Sequence, residues 1–251
     1  MTPRITYFGH ATILIEVGEA RLLTDPILRR AILGGIIRRA EAAPEIESPD
    51  AVLLSHQHAD HLDLRSLRML GAATEVIAPR GAGKRLRRGG MTAVREVEAG
   101  EIESVRDIEV VATPAVHDGR RFPFGRPVEA LGYDIRGGGA RIYFAGDTDL
   151  FPGMAALTGV DVALLPIGGW GGNEMGEGHL DPERAAEAAA LIGPRVAIPI
   201  HWGTLLRADL HRRDRDLHGP PAEEFRARMA ELAPETEIRV LDPGESYELK
   251  D

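Results

Sequence analysis

The sequence predicts one layered α/β domain that spans residues 1–251, and three features support this. Short apolar segments of strand length alternate with segments of helical character along the whole chain. No low-complexity tract, linker or break in composition divides it. A chain of 251 residues, 43% of them hydrophobic, can also bury one large core. We therefore expect sheets covered by helices.

The predicted strands are short, and several are uniformly apolar. Residues 51–54 have the composition of a strand buried on both faces. The glycines at 137–139 predict a hairpin turn, and residues 246–249 are expected to pair with a strand at 237–241. The other strands are predicted at residues 5–8, 12–17, 21–24, 76–78, 108–112, 131–135, 141–145, 162–165 and 196–200.

Three helices are predicted, two of them from capping residues. Asp63 is the expected N-cap of a helix that continues to about Leu70. Asp181 is the expected N-cap of a helix over 182–192, which starts with a proline and is followed by a glycine. A third helix is predicted over about 221–232.

The segment 27–39 is apolar around a Gly-Gly pair and has paired arginines at both ends. It can be a structural helix or loop, or alternatively a mobile lid or apolar contact for a substrate. A membrane-surface helix is a third alternative, which the Gly-Gly pair and the short length disfavour.

The composition excludes several classes of site. The chain has no cysteine, so any metal must be bound by His, Asp or Glu. The amino terminus lacks the apolar core of a signal peptide, and no apolar run has the length of a membrane span. A cytoplasmic protein without an integral membrane segment is therefore expected.

The charge distribution bears on the class of partner. A net charge of −9 disfavours broad binding to nucleic acid, so a small-molecule substrate is expected, and a homo-oligomer is left open. Arginines cluster at 85–88 and at 120–121. Both clusters can be solvated surface, or Arg120 and Arg121, close after His117, can contact an anionic substrate.

Histidine or aspartate follows four of the predicted strands. Because carboxyl ends of strands are where ligand sites form in α/β sheets, we expect these side chains to converge. They are His56 and His58 after 51–54, His117 after 108–112, Asp147 after 141–145, and His201 after 196–200.

The densest part of this set lies in residues 56–61. Three imidazoles and a carboxylate within six residues would be costly to bury without a shared cation. In an extended segment His56 and His58 point the same way, and the following turn lets Asp60 and His61 face a second point nearby. The alternative is a solvated polar loop.

The motif His-x-His-x-Asp-His at 56–61 resembles the signature of the metallo-β-lactamase superfamily. The resemblance extends over nearly the whole chain, and within the superfamily it is nearest to the branch of N-acylphosphatidylethanolamine-hydrolysing phospholipase D and L-ascorbate-6-phosphate lactonase. The segments that carry it, in order, are Gly-His-Ala-Thr at 9–12, Leu-Thr-Asp-Pro at 23–26, Ser55 with the motif, Ala-Gly-Asp-Thr at 145–148, His-Leu-Asp-Pro at 179–182 and Ile-His-Trp-Gly-Thr at 200–204.

The resemblance implies a four-layer αββα sandwich with two divalent metal ions at one edge of the inner sheets. It implies a first metal bound by His56, His58 and His117, a second bound by Asp60, His61 and His201, and Asp147 between them. Asp25 resembles the buried acid that orients these histidines from behind, although it can also be only a turn residue before a proline.

The implied chemistry is hydrolysis by a metal-bridging hydroxide. Zinc is the first choice on family grounds, and manganese is the alternative. A phosphodiester or other phosphate-containing substrate is favoured by the nearest branch, with a lactone or carboxylic ester as the alternative. An iron-dependent oxidoreductase and a non-catalytic scaffold are rival interpretations of the same fold.

Three residues are candidate catalytic groups. Asp60 can orient the attacking hydroxide in addition to binding metal. His179 follows a glycine-rich stretch and precedes the cap of the 182–192 helix, so it can give a proton to a leaving oxygen or hold a phosphate oxygen. It can alternatively bond only the loop backbone. His10 is the weaker second candidate for this role.

Overall fold

The computed structural model describes residues 2–32, 36–38, 46–121, 128–168, 178–207 and 220–250. The helices are α1 (Leu64–Leu70), α2 (Gly83–Arg88), α3 (Pro182–Ile192) and α4 (Pro220–Leu232), with a 3₁₀ helix at Pro152–Leu157. The strands are β1 (Arg4–Gly9), β2 (Thr12–Val17), β3 (Ala20–Thr24), β4 (Ala31–Ile32), β5 (Ile36–Arg38), β6 (Ala51–Leu53), β7 (Glu75–Pro79), β8 (Val94–Val97), β9 (Ile102–Val105), β10 (Ile108–Asp118), β11 (Glu129–Gly137), β12 (Ala140–Phe144), β13 (Val162–Pro166), β14 (Val196–Ile200), β15 (Leu205–Arg207), β16 (Glu237–Ile238) and β17 (Ser246–Glu248).

Two mixed sheets pack face to face. The first has the order β17-β1-β2-β3-β6-β7-β8, and the second has the order β16-β14-β13-β12-β11-β10-β9. The apolar side chains between them, including Ile15, Tyr133 and Phe144, are fully buried. Because the two sheets share this core, groups at the ends of strands from either sheet can meet at one edge of the sandwich.

Helices cover the outer face of each sheet, which gives the predicted αββα order. Leu67 of α1 and Leu86 of α2 pack in one cluster with Val52 and Val76 of the first sheet. On the second sheet, α3, α4 and the 3₁₀ helix bury a second cluster. Each sheet has one face against the other sheet and one face against helices, so its central strands must be apolar on both faces. The strands β6, β13 and β14 are accordingly buried at every residue.

The two predicted N-caps are confirmed. The Asp63 carboxylate accepts the backbone N–H of Ser66 at 3.0 Å, and the Asp181 carboxylate accepts that of Arg184 at 2.8 Å. Gly193 ends α3 in the left-handed region at φ +64°, which a residue without Cβ adopts without strain. The caps fix the starts of α1 and α3, which begin shortly after the candidate residues His61 and His179.

The carboxyl-terminal strand prediction is wrong in its partner. β17 pairs with β1, with Ser246 opposite Thr6, whereas β16 is only two residues long and pairs in parallel with β14. The two hydroxyls lie 2.8 Å apart across the β1–β17 pair. Period-two alternation indicates a strand but carries no information on which free edge it joins.

The segment 27–39 contains two short strands in its described part. β4 and β5 pair antiparallel, and β15 joins β5 to form a small three-stranded sheet, so a helix is wrong at these positions. Ile32 is buried in a small cluster with Ile27 and Leu205. Residues 33–35 and 39 lie outside the described residues, and the lid interpretation stays a prediction.

Candidate metal centre

The predicted ligands converge where strands of both sheets end. His56 and His58 follow β6 of the first sheet, and Asp147 and His201 follow β12 and β14 of the second. His117 lies inside β10, which continues to Asp118 through an irregular register instead of ending at 112 as predicted. Together with Asp60, His61, His10 and His179, these side chains form overlapping clusters whose ligand atoms lie within 4.8 Å of one another.

The first group contains the three histidines predicted for the first metal. The His117 Nε2 and His58 Nδ1 atoms are 3.1 Å apart, and the His56 ring lies 4.5 Å from the His58 ring and 4.7 Å from the His117 ring. The His117 Nδ1–H donates to the carbonyl of Gly178 at 2.8 Å, so its Nε2 lone pair faces the other two rings.

The second group contains Asp60, His61 and His201, which were predicted for the second metal. The Nε2 atoms of His61 and His201 are 3.0 Å apart, and each lies 3.5 Å from Asp60 Oδ2. The His201 Nδ1–H donates to the carbonyl of Gly168 at 2.5 Å. The His61 Nδ1–H likewise donates to Asp25. With Nδ1 protonated on both rings, the Nε2 lone pairs of His61 and His201 point at the same space, and a shared cation would satisfy both.

Asp147 lies between the two groups. Its Oδ2 is 3.2 Å from His61 Nε2 and 3.8 Å from His56 Nε2, and its Oδ1 is 3.2 Å from His201 Nε2. Burial disfavours the charged carboxylate, but the charges of His201 and His61 outweigh burial and hold the pKa of Asp147 well below 3.8. Asp147 therefore contacts histidines of both groups, and its role as a bridge between two metals stays a prediction.

The donor set fits divalent metal ions. Buried His56 Nε2 and Asp147 Oδ1 have no hydrogen-bond partner among the described residues, which is costly unless a cation binds there. The inward-facing atoms of the two groups are imidazole nitrogens and carboxylate oxygens, which suit zinc and other first-row divalent ions. The outward Nδ1 atoms of His61, His117 and His201 all donate to protein oxygens, the arrangement that orients metal-binding histidines.

Asp25 lies behind the second group, fully buried. Its Oδ2 accepts from His61 Nδ1 at 2.7 Å and from the Ser55 hydroxyl at 2.5 Å, and its Oδ1 accepts the Ser55 backbone N–H at 2.8 Å. Burial raises the pKa of Asp25 above 3.8, against the lowering effect of His61. Asp25 therefore does more than form a turn, because it contacts the outer nitrogen of a predicted ligand.

Ser55 is a site residue that was not singled out from the sequence. Its hydroxyl donates to Asp25 and accepts from His56 Nδ1 at 2.9 Å, which connects the same carboxylate to a histidine of the first group. The only sequence signal is its position directly before His56. A serine there is also compatible with a simple end of a strand, so the sequence does not distinguish the two.

His10 contacts the second group directly. Its Nε2–H donates to Asp60 Oδ2 at 2.9 Å, and its ring centroid lies 3.9 Å from that of His201. Burial, together with the charge of His201, lowers the pKa of His10 to about 3. Through this hydrogen bond His10 holds Asp60 in place, and its role in proton transfer stays a prediction.

His179 lies beside His117 of the first group, and 27% of its side chain is exposed. Its Nε2 is 3.7 Å from Asp147 Oδ2, and its ring is 4.5 Å from the His117 ring. Its buried Nδ1 has no hydrogen-bond partner among the described residues. Among the described residues, no hydrogen bond from this Nδ1 supports the interpretation in which His179 only bonds the loop backbone.

The two arginines after His117 have protein partners. Arg120 forms an exposed ion pair with Asp118, with its Nε 2.7 Å from Oδ2. The Nη1 of Arg121 donates to the carbonyls of Gln57, at 3.1 Å, and Leu62, at 2.9 Å. These two hydrogen bonds stabilise the loop that contains the motif at 56–61. These contacts favour a structural role for Arg121 over contact with a substrate.

Comparison with known proteins identifies the family. A family model described as "Beta-lactamase superfamily domain" matches residues 20–202. The chain belongs to the beta-lactamase superfamily. Within this superfamily it also belongs to the UPF0173 family, because the UPF0173 metal-dependent hydrolase of Methanopyrus kandleri is 34% identical over 98% of this chain and 99% of its own length. The corresponding protein of Opitutus terrae is 33% identical over 98% of this chain and its own full length.

Solved structures agree on the metallo-β-lactamase fold, which confirms the predicted fold class. A metallo hydrolase from Ignicoccus hospitalis is 26% identical, with a TM-score of 0.72 over the whole of both chains. A diiron beta-hydroxylase from Streptomyces venezuelae has a TM-score of 0.75 at 19% identity, covering 99% of this chain and 54% of its own, and shows the fold alone. Among the described helices of this superfamily member, none is long and apolar enough to cross a membrane.

Proposed function

We propose that this chain is a metal-dependent hydrolase that binds two divalent metal ions and hydrolyses a phosphodiester or another phosphate-containing substrate. The observation that carries the proposal is the position of Asp147 between two groups of inward-facing imidazoles. Zinc is the expected metal because the donors are mainly imidazole nitrogens, and manganese is the alternative.

The residues divide by role in this proposal. His56, His58 and His117 would hold one metal, Asp60, His61 and His201 would hold the other, and Asp147 would contact both. A bound metal pair would supply water of lowered pKa and would polarise an oxygen of the substrate. Asp25 and Ser55 orient His61 and His56 from behind, through the hydrogen bonds at their Nδ1 atoms.

In this proposal His179 handles the proton of the leaving group, and Asp60 positions the attacking water. The partly exposed His179 can reach both substrate and solvent, and its Nε2 is the atom that would donate to a leaving oxygen. Asp60 would orient the attacking water through the oxygen that His10 does not occupy, since the His10 contact is on Oδ2. His10 then acts by holding this carboxylate in position.

The phosphate-containing substrate rests on the resemblance to the phospholipase D and ascorbate-phosphate lactonase branch. A lactone or carboxylic ester remains the alternative, because the same donors would polarise a carbonyl oxygen. An iron-dependent oxidoreductase is the second alternative, because a diiron beta-hydroxylase has the same fold and the fold alone does not select the reaction.

The decisive experiment combines metal analysis with a substrate panel. We expect the purified chain to hold close to two zinc or manganese ions, and to hydrolyse bis(p-nitrophenyl) phosphate faster than a homoserine lactone or p-nitrophenyl acetate. Chelation should abolish turnover, and added zinc or manganese should restore it. Fewer than one metal ion per chain after reconstitution would contradict the dinuclear site, and preferred turnover of the lactone would contradict the phosphodiester assignment.

A further inference from the structure

One segment of this acidic chain is rich in basic residues and almost free of acidic ones. Residues 64–90, which span α1, β7 and α2, contain seven basic residues and one acidic residue, Glu75, although the net charge of the chain is −9. Concentrated charge of one sign in a concave surface raises the local potential well above what single exposed side chains produce. This segment is therefore the part of the protein suited to bind an anion.

A cleft of about 400 Å³ lies in this segment. Its lining consists of the first residue of α1, the turn after β7 and one face of α2, namely Leu64, Gly81, Lys84, Arg85, Arg88 and Gly89. We call it the α2 cleft. Its lining includes three cationic side chains and no carboxylate.

The α2 cleft lies on the same edge of the first sheet as the metal centre. β6 and β7 are parallel neighbours, with Leu53 opposite Ile77, so the turn at Gly81 and the motif that begins at His56 both follow carboxyl ends of adjacent strands. Arg121 is near both regions. Its Nη1 donates to the carbonyl of Leu62 in the motif loop, and burial together with the nearby charge of Arg85 lowers the pKa of Arg121.

Two of the cations that line the α2 cleft, Lys84 and Arg88, differ from their neighbours in their ion pairing. Arg87 on another face of α2 pairs with Glu96, and Arg80 pairs with Glu98. In the described part of the chain, neither Lys84 nor Arg88 has a carboxylate within ion-pair distance, and the same holds for Arg65 and Arg68 of α1. Asp63, at the start of α1, is already bound by Arg29.

We propose that the α2 cleft binds a phosphate-bearing anion through Lys84 and Arg88. Guanidinium groups bind phosphate oxygens in pairs, and an ammonium group adds a compact charge. The anion can be a second phosphate on the substrate, a case that rests on the proposed function, or a separate phosphate that binds beside the active site. Both sources present the same chemistry to the cleft.

Equilibrium dialysis with labelled inorganic phosphate tests the proposal on the metal-loaded protein. The double variant Lys84→Gln/Arg88→Gln should bind phosphate in the cleft roughly tenfold more weakly, while any phosphate held at the metals is retained. Arg226→Gln is the matched control, because Arg226 is an exposed arginine on α4, in the opposite helical layer. Equal phosphate binding by wild type and the double variant, or an equal loss in the control, overturns the proposal.

Kinetics then separate the two sources. Thymidine 5′-(p-nitrophenyl phosphate) is compared with the same compound carrying an additional 3′-phosphate. A KM that rises in the double variant only for the doubly phosphorylated compound assigns the anion to the substrate. Equal KM values together with lost phosphate binding assign it to a separate anion. If wild type hydrolyses neither compound, the proposed function fails on these substrates, while the dialysis result still decides whether the cleft binds phosphate.

Discussion

The carboxylate of Asp25 accepts a hydrogen bond from the Nδ1 of His61 at 2.7 Å, with both residues fully buried. This contact fixes the His61 tautomer, so that Nε2 faces the predicted metal. Through the Ser55 hydroxyl the same carboxylate reaches His56. One carboxylate thus orients one histidine of each metal group.

Asp25→Asn should weaken metal binding by roughly 10- to 100-fold, because the amide removes the charge that pairs with the imidazole and can present a donor to the His61 N–H. Competition with a chromophoric chelator measures the affinity. Asp134→Asn is the control, since Asp134 is an equally buried aspartate that contacts Arg136 and Arg141 rather than the site. Unchanged metal affinity in Asp25→Asn would show that the contact is dispensable.

Asp147→Asn should lose at least one metal ion per chain and most of the turnover. The substitution keeps the size of the side chain but removes the charge that offsets the repulsion between two dications. Elemental analysis of the variant, purified in parallel with wild type, measures the effect. Retention of both ions with near-normal kcat would exclude the bridging role.

His179→Ala should leave the metal content near normal and lower kcat by roughly 10²–10⁴-fold, the usual contribution of a positioned acid or base. His179→Gln is the companion variant, because it keeps a hydrogen-bond donor but cannot titrate. Recovery of KM without recovery of kcat in that variant supports proton donation. Loss of metal from His179→Ala would instead make it a ligand, which its 3.7 Å distance from Asp147 permits.

Asp134→Asn should lower the free energy of unfolding by about 1–3 kcal/mol at neutral pH, because Arg136 and Arg141 lose the buried carboxylate that pairs with them. Burial opposes the charge, but hydrogen bonds from Arg141 and Arg136 outweigh it and hold the pKa of Asp134 below 3.8. A lowered pKa stabilises the fold above pH 3.8, and this stabilisation disappears as the pH falls through the folded-state pKa. The difference between wild type and variant, measured by urea unfolding, should therefore shrink on acidification; a constant difference would contradict this.

Much of the site followed from the sequence because its residues have chemically distinct signals. The spacing of His56, His58, Asp60 and His61 indicates a cation on its own, since clustered imidazoles and a carboxylate are costly to bury otherwise. The strands before His56 and His201 have a uniformly apolar pattern, so the carboxyl ends of β6 and β14 could be located. The caps at Asp63 and Asp181 were equally local signals.

Other features depended on contacts between distant parts of the chain. The pairing of β17 with β1, the Ser55 bridge between Asp25 and His56, and the contact of His10 with Asp60 join residues that no local pattern relates. The sequence by itself determined the strand and helix pattern and the ligand chemistry, because these depend on side-chain type and spacing. Only the tertiary structure decided which edges pair and which polar groups meet, because those choices depend on how the two sheets close around their shared core.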